Sequence, residues 1–396
     1  MYLWTVRLQT RMPSLSSSPR MRSAPHSGLL AAISGMSEAR VVGGRPIDMQ
    51  YAYSGDANYL RDTAYPFMKQ VAQFYVARLA YDAQSQVYSM AVSNSHETYW
   101  KVPNAITDLA AVRSLFPVVI KVSTTLGLDA DLRPKWQDVL DHLVAYPTDA
   151  TNYLPHQPPI SQTRNNENVV CELIWPYGVT GIGSPDYQRA LSSWNSRPFP
   201  YGNVWSPDAI QAARLGMGDQ AYQGMKTMTG RYQNYPNGFT NNTNGVFEYH
   251  GVHLSVMNES LLQSYNDKIR VFPALPNDAG LTNRFTLAAK GGFLVSSERE
   301  GGDIKYVGIK SLLGHPATVI NPWSTQEVLV TKEPGSVMVM KSTAVEVTFP
   351  TDPNGVYVVQ RTAKPLSSYM YAHVAGPAMP NRSVKHLSNP ATSIGM

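Results

Sequence analysis

ESLLQSYNDKIRVFPALP (259–276) is the stretch in which the periodicity of the chain changes. Upstream of it, apolar residues recur every three or four positions, the spacing of one helix face. Beyond about residue 266 they alternate with period two, as in strands with one buried side. Helices first and strands second make a multidomain α plus β chain.

Working back from that point, residues 64–80 place Phe67, Met68, Val71, Phe74, Tyr75 and Leu79 on one helix face. Residues 105–126 do the same with Ile106, Leu109, Val112, Phe116 and Ile120, and Pro117 is expected to kink that helix. Residues 131–143 align Leu132, Trp136, Leu140 and Leu143. At 206–215, Ser206 suits a cap, Pro207 the first helical position and Gly216 the exit. A further helix is expected over 252–264. The loops at 144–170, 195–205 and 230–250 are rich in Asn, Pro, Tyr and Gly. Loops of that length in a compact domain usually carry a site.

Working forward, IRVF, RFTLAA, GFLVSSE, IKYVGIKSLL, EVLVTKE, SVMVMKS, VEVTF and VYVVQRT read as short strands. Gly, Pro, Asn and Asp separate them, as in a β-sandwich. The expected organisation is a leader over 1–45, a helical domain over 46–265, a β-sandwich-like domain over 266–376 and a loose tail over 377–396. The leader carries Arg7, Arg11, Arg20 and Arg22 and, through residue 37, no acidic residue. That is the composition of an organellar presequence or of a disordered segment. No clean apolar stretch of a secretory signal follows a short basic start.

The composition excludes several classes. The net charge of +5 over 396 residues is small and dispersed, so no nucleic-acid interface is expected. No run approaches the roughly 18 apolar residues of a membrane span, and no membrane partner is expected. A single cysteine, Cys171, excludes an intrachain disulfide and reads as a core thiol. The 23 Tyr and 7 Trp suit sugars, which offer CH faces and hydroxyl rims to such rings, and suit ordinary cores equally well.

GxGxxG, Walker, HExxH and GxSxG signatures are missing. His250 and His253 are three apart with no third ligand in view, so neither metal nor cofactor is called for. Two acidic residues stand out. Glu97 lies in SNSHETYW (93–100) beside Tyr99 and Trp100, and Glu248 lies in GVFEYHGVH (245–253) between Phe247 and Tyr249. An aromatic wall raises a carboxyl pKa by desolvation, which a general acid requires. Glycoside hydrolysis with inversion uses such an acid and a base about 6.5–9.5 Å apart. Two loop glutamates are equally compatible with solvated or cap-forming carboxylates.

The quoted stretch resembles the "E-x-LLQS…IRLLPALP" signature of glycoside hydrolase family 95, which includes α-L-fucosidases and α-L-galactosidases. Other segments follow in the family's order. YAYSGDANYLRDTAYPFMKQVAQFY (51–75) resembles its "Y-x-Y-T-G-D…AYP-x-M-K" helix. SNSHETYW resembles its SPEN-like loop, and AITDLAAVRSLFPVVI (105–120) the helix after it. WSPDAIQAARLGMGDQAY (205–222) is similar to its "W-S…ARLGDG-x-A" segment, and KGGFLVSSEREGGDIKYVGIKS (290–311) to the entry of its β-domain. The resemblance implies a six-hairpin (α/α)6 toroid followed by a β-domain, and an extracellular or periplasmic location. It implies an inverting enzyme on an oligosaccharide or polysaccharide with α-linked fucose or galactose units.

The resemblance also assigns roles. The glutamate of the SPEN-like loop is the general acid, which here is Glu97. The base side is an acidic residue eleven positions before the glutamate of E-x-LLQS, which here is Glu248, a glutamate where the family has aspartate. Two features depart from the pattern. The asparagine pair through which that aspartate acts has no counterpart, since no Asn precedes Asn58. The family's histidine-rich pocket loop is replaced by ENVVCELIWPYGVTG (167–181). Candidate sugar contacts are Trp100, Glu172, Trp175, Trp205, Tyr249 and His250. The expectation is then a ring shortened at its N-terminal side. A binding relic without catalysis, or a toroid phosphorylase or lyase, are the alternatives.

Overall fold

The computed structural model describes residues 49–233, 248–278, 280–366, 369, 384–386 and 393–395. The expected leader lies outside them, as does most of the expected tail, in which Val384–His386 and Ser393–Gly395 pair antiparallel. Helices come first and an antiparallel sheet second, as the periodicity predicts.

The first long helix has a built start. Asp56 accepts the Asn58 and Tyr59 amides at 3.0 and 2.9 Å, capping the turn Ala57–Tyr59. A π-turn, Leu60–Ala64, feeds helix α1, Tyr65–Arg78. Met68, Val71 and Tyr75 are buried as expected, with Ala72, while Phe67 and Phe74 pack half-buried at the core margin. Leu79 does not extend the helix but opens strand β1, Leu79–Asp82, paired with β2, Val87–Met90. A second hairpin follows: β3, Ser93–Ser95, and β4, Tyr99–Val102. The sequence reads 93–100 as a polar loop and leaves the first hairpin unread, because strands of three or four residues carry too few alternations to register as a period.

Helix α2, Ile106–Leu126, is the centre of the first core, and Ile106, Leu109, Val112, Phe116 and Val119 are all inaccessible. It runs unbroken through Pro117, which sits on the exposed side. By length and average hydropathy α2 is long and apolar enough to cross a membrane, which corrects the expectation from sequence. Asp108, Arg113 and Lys121 interrupt the apolar run and hide this in a residue-by-residue reading. In the fold, α1 and helix α3, Arg133–His142, pack on α2, and its apolar residues serve the core. Trp136 and Val139 anchor α3.

Three further helices complete the main wall. These are α4, Tyr187–Asn195, α5, Asp208–Arg214, and α6, Gly218–Tyr232. Helix α5 begins two residues past Ser206, with Pro207 at the cap and no side-chain cap bond, and Gly216 follows its end at φ +77. Helices α4 and α6 are absent from the sequence reading. Helix α7, Glu248–Leu261, then leads into the quoted stretch and packs against α5 and α6.

Beyond α7 a second core forms. Its main layer is a six-stranded antiparallel sheet in the order β12-β11-β14-β9-β8-β7. Those strands are β7, Asn283–Ala289; β8, Phe293–Glu300; β9, Asp303–Ser311; β11, Val328–Glu333; β12, Val337–Ser342; and β14, Val356–Arg361. The opposing layer joins β10, Ala317–Ile320, with β13, Glu346–Phe349, and the short pair β5, Leu262–Gln263, with β6, Arg270–Val271. A bridge between Ile269 and Val319 ties the two pairs. Val295, Val307 and Val359 from one layer share a core with Val271, Val319 and Phe349 from the other. The alternation of buried and exposed residues seen in sequence is therefore that of a two-layer packing.

The two cores meet around the quoted stretch. Arg214 at the end of α5 is paired with Glu259 of α7, Nε to Oε2 at 2.5 Å. The guanidinium groups of Arg214 and Arg270 lie 4.6 and 5.0 Å from the Tyr265 ring centroid. Gln263 donates to the Ala213 carbonyl at 2.8 Å, and the Gly291 amide donates to Ala52 at 2.7 Å.

Candidate functional site

The site starts at the β3–β4 hairpin. His96 adopts φ +55 in its turn, and the Asn94 side chain accepts the Lys101 amide at 3.0 Å. Beneath the hairpin, Ser93 donates at 2.5 Å to the buried carboxylate of Asp108 on α2, which Tyr75 also approaches. Burial pushes the Asp108 carboxyl above its ordinary range. The hairpin is thus bolted to the centre of the first core.

This hairpin presents Glu97 at its tip, exposed to solvent. The aromatics beside it turn elsewhere. Tyr99 is buried edge-on to His156. Trp100 is exposed, stacks under Arg164 at 5.1 Å and donates its indole N–H to the Glu97 carbonyl at 2.6 Å. The Glu97 carboxylate accepts from Asn165 Nδ2 at 3.3 Å.

The same Asn165 amide donates at 2.7 Å to Glu167, a buried carboxylate that the sequence reading passed over. Thr98 also donates to Glu167 through a short bond, and His96 Nδ1 stands 3.4 Å from its Oε1. On its other side His96 Nε2 lies 4.0 Å from Glu172 Oε1. A chain of contacts therefore runs from Glu97 at the rim through Asn165, Glu167 and His96 to Glu172. Burial pushes the Glu172 carboxyl up to about 7; His96 pulls it down and Glu167 pushes it further up.

Asn168 braces the opposite wall. It donates to Asp208 Oδ1 at 3.1 Å and to the Phe199 carbonyl at 2.9 Å, and accepts the Phe199 amide at 3.0 Å. Asp208 is inaccessible, also takes the Tyr201 amide at 2.5 Å, and forms an ion pair with Arg197, Nε to Oδ2 at 3.2 Å. The Arg197 guanidinium in turn lies 3.6 Å from the Trp194 ring centroid. These bonds hold the loop carrying Trp205 in place.

The result is a cavity of about 200 Å³ lined by His96, Glu167, Glu172, Trp175, Tyr177 and Trp205 among others. Three of the expected sugar contacts, Glu172, Trp175 and Trp205, thus line one pocket, one residue from Glu97. Trp100 is not among its lining residues. Glu248 opens α7, and its side chain, with those of Tyr249, His250 and His253, lies outside the described residues. Among the described residues no group of His, Cys, Asp and Glu is arranged to hold a metal. Cys171 is fully buried, and burial pushes its thiol up, away from nucleophilic use.

His96, Asn165 and Glu167 were missed because each is unremarkable locally. A signal was present in Glu167 and Glu172, two carboxyls on either side of the apolar run 169–171. The catalytic-domain model of glycosyl hydrolase family 95 matches residues 46–251, which contain the whole pocket. The chain belongs to this family. Membership places the helical part in the family's toroid class, behind which the sheet follows. The curated proteins contain no match to the chain. Among solved structures, a putative kojibiose phosphorylase from human microbiome is similar, with 12% identity and a TM-score of 0.44. The likeness covers 79% of this chain and 49% of that one, so the chain spans about half the length of that protein.

Proposed function

We propose that the pocket receives one unit of an α-linked glycoside, of the α-L-fucoside or α-L-galactoside class, and that the chain hydrolyses its bond with inversion. The observation that carries this reading is the pocket itself. Two Trp rings offer flat apolar faces, carboxyls stand ready for hydroxyls, and a solvent-facing glutamate is tethered at the rim. In the reaction, Glu97 gives its proton to the glycosidic oxygen as the bond to the anomeric carbon breaks. A water oxygen bonds to that carbon from the opposite face and releases its proton to the base side, the role of Glu248. Substrate covering Glu97 supplies the desolvation that the free rim does not.

The test is Glu97→Gln, whose amide keeps the shape and cannot release a proton. Turnover of substrates with poor leaving groups should fall by about 10²–10⁴-fold while sugar binding survives. Unchanged turnover in this variant removes Glu97 from the role. Sugar binding by the wild-type chain without turnover of either glycoside class supports the non-catalytic relic instead.

A further inference from the structure

The charge balance of the Trp175–Trp205 pocket carries an inference that rests on the sugar-binding reading and narrows its ligand. Among the described residues that line the cavity there is neither Lys nor Arg. Two carboxyls, Glu167 and Glu172, face one imidazole, His96. Glu167 is engaged by Thr98 and Asn165 as well. Glu172 keeps 14% of its side chain open, with His96 as its ion-pair neighbour at 4.0 Å. The arginines of adjoining loops are committed elsewhere, Arg197 to Asp208 and Arg164 over Trp100. Helix α5 borders the cavity at Pro207, and its first turn already carries the Asp208 carboxylate, which matches the helix dipole.

We propose that this pocket excludes anions: it takes an uncharged or ammonium-bearing sugar unit and rejects uronates and inorganic phosphate, with Glu172 setting the choice. A ligand carboxylate or phosphate seated here meets like charge at a few ångströms in a partly desolvated space, where salt screens poorly. Phosphate sites use Arg, Lys or free helix N-termini, and this lining offers none of them among its described residues.

Proton uptake gives the proposal a signature. Glu172 is uncharged below about 7 and charged above it. The groups facing it are His96 from the β3–β4 turn and Glu167 from the preceding loop, with Tyr177 lining the same cavity.

The experiment is isothermal titration of the full chain with galactose, galactosamine and galacturonate, the matching gluco series, and inorganic phosphate alone. At about pH 7 the uronates should bind at least about tenfold more weakly than the neutral sugars, and phosphate should not saturate. The gap should widen from about pH 5.5 to about pH 8, a comparison that needs only the wild-type chain. In Glu172→Gln the gap and its pH dependence should shrink. A uronate that binds as well as its neutral counterpart, or phosphate that competes with a sugar, overturns the proposal. So does a gap that ignores both pH and Glu172→Gln. Failure of every sugar to bind is a different result: it defeats the sugar-binding reading, and this inference with it.

Discussion

Glu172 combines two properties that sequence cannot report together. It sits between Cys171 and Leu173, both fully buried, yet its own carboxyl reaches a cavity. Its folded pKa, about 7, lies above its ordinary 4.5. The fold therefore favours the protonated form. That contribution is fully present below about pH 4.5 and is lost as the pH rises through about 7. Glu172→Gln removes the titration, so the variant should gain stability over wild type as the pH rises. By about pH 8 the gain should be on the order of 2–3 kcal/mol, read by urea denaturation across the range. A stability difference that stays flat with pH would show that the carboxyl is not held neutral by the fold. At this scale the sequence named Glu97, Glu172, Trp175 and Trp205 but not Glu167 or His96. The aromatic neighbours of Glu97 in sequence do not wall in its carboxylate, because Tyr99 is buried against His156 and Trp100 stacks under Arg164. Desolvation falls on Glu172 instead, which is walled in by residues distant in the chain.

Elements explain how the site is held. The β3–β4 hairpin is short, and its position depends on Ser93 bonding to Asp108 rather than on its own ladder. Helix α6 shows the opposite case, an element fixed by one small residue. A Cβ on Gly218, its first residue, would stand 2.1 Å from the Leu275 carbonyl oxygen and 2.3 Å from its carbon. Backbone cannot yield as a flexible side chain does. Gly218→Ala should therefore push α6 off the 274–275 segment and cost about 1–3 kcal/mol in thermal or urea unfolding. A variant as stable as wild type would mean that the contact is looser than it looks. Helices with long apolar faces, α1, α2 and α3, were legible from their period. Helices α4 and α6 were not: α4 is only nine residues long, and Gly224 and Gly230 inside α6 read as helix breakers.

On the scale of the whole molecule, the Arg214–Glu259 pair fastens α5 to α7 where the two cores meet. Both side chains are largely covered, at 15% and 19% exposure. Removing the cation leaves Glu259 without its ion pair, so Arg214→Ala should destabilise by on the order of 3 kcal/mol. Adding Glu259→Gln should return part of that loss, since an amide does not need the counter-charge. Losses that simply add in the double variant, followed by Trp fluorescence and circular dichroism, would deny the coupling. The pair also bears on the site, because α7 begins with Glu248 and its far end is set by this contact.

The order of helices and strands, the change of period at 259–276 and the family were decided by sequence, because periodicity and motif order are properties of neighbours along the chain. The pocket was decided by tertiary structure alone. Its lining is drawn from the turn at His96, the segment 166–177 and the loop 203–207. Buried polar contacts such as Asn168 with Asp208 bring these together. Whether a carboxyl is solvated at a rim or kept neutral in a cavity depends on what folds over it, and no local spacing encodes that.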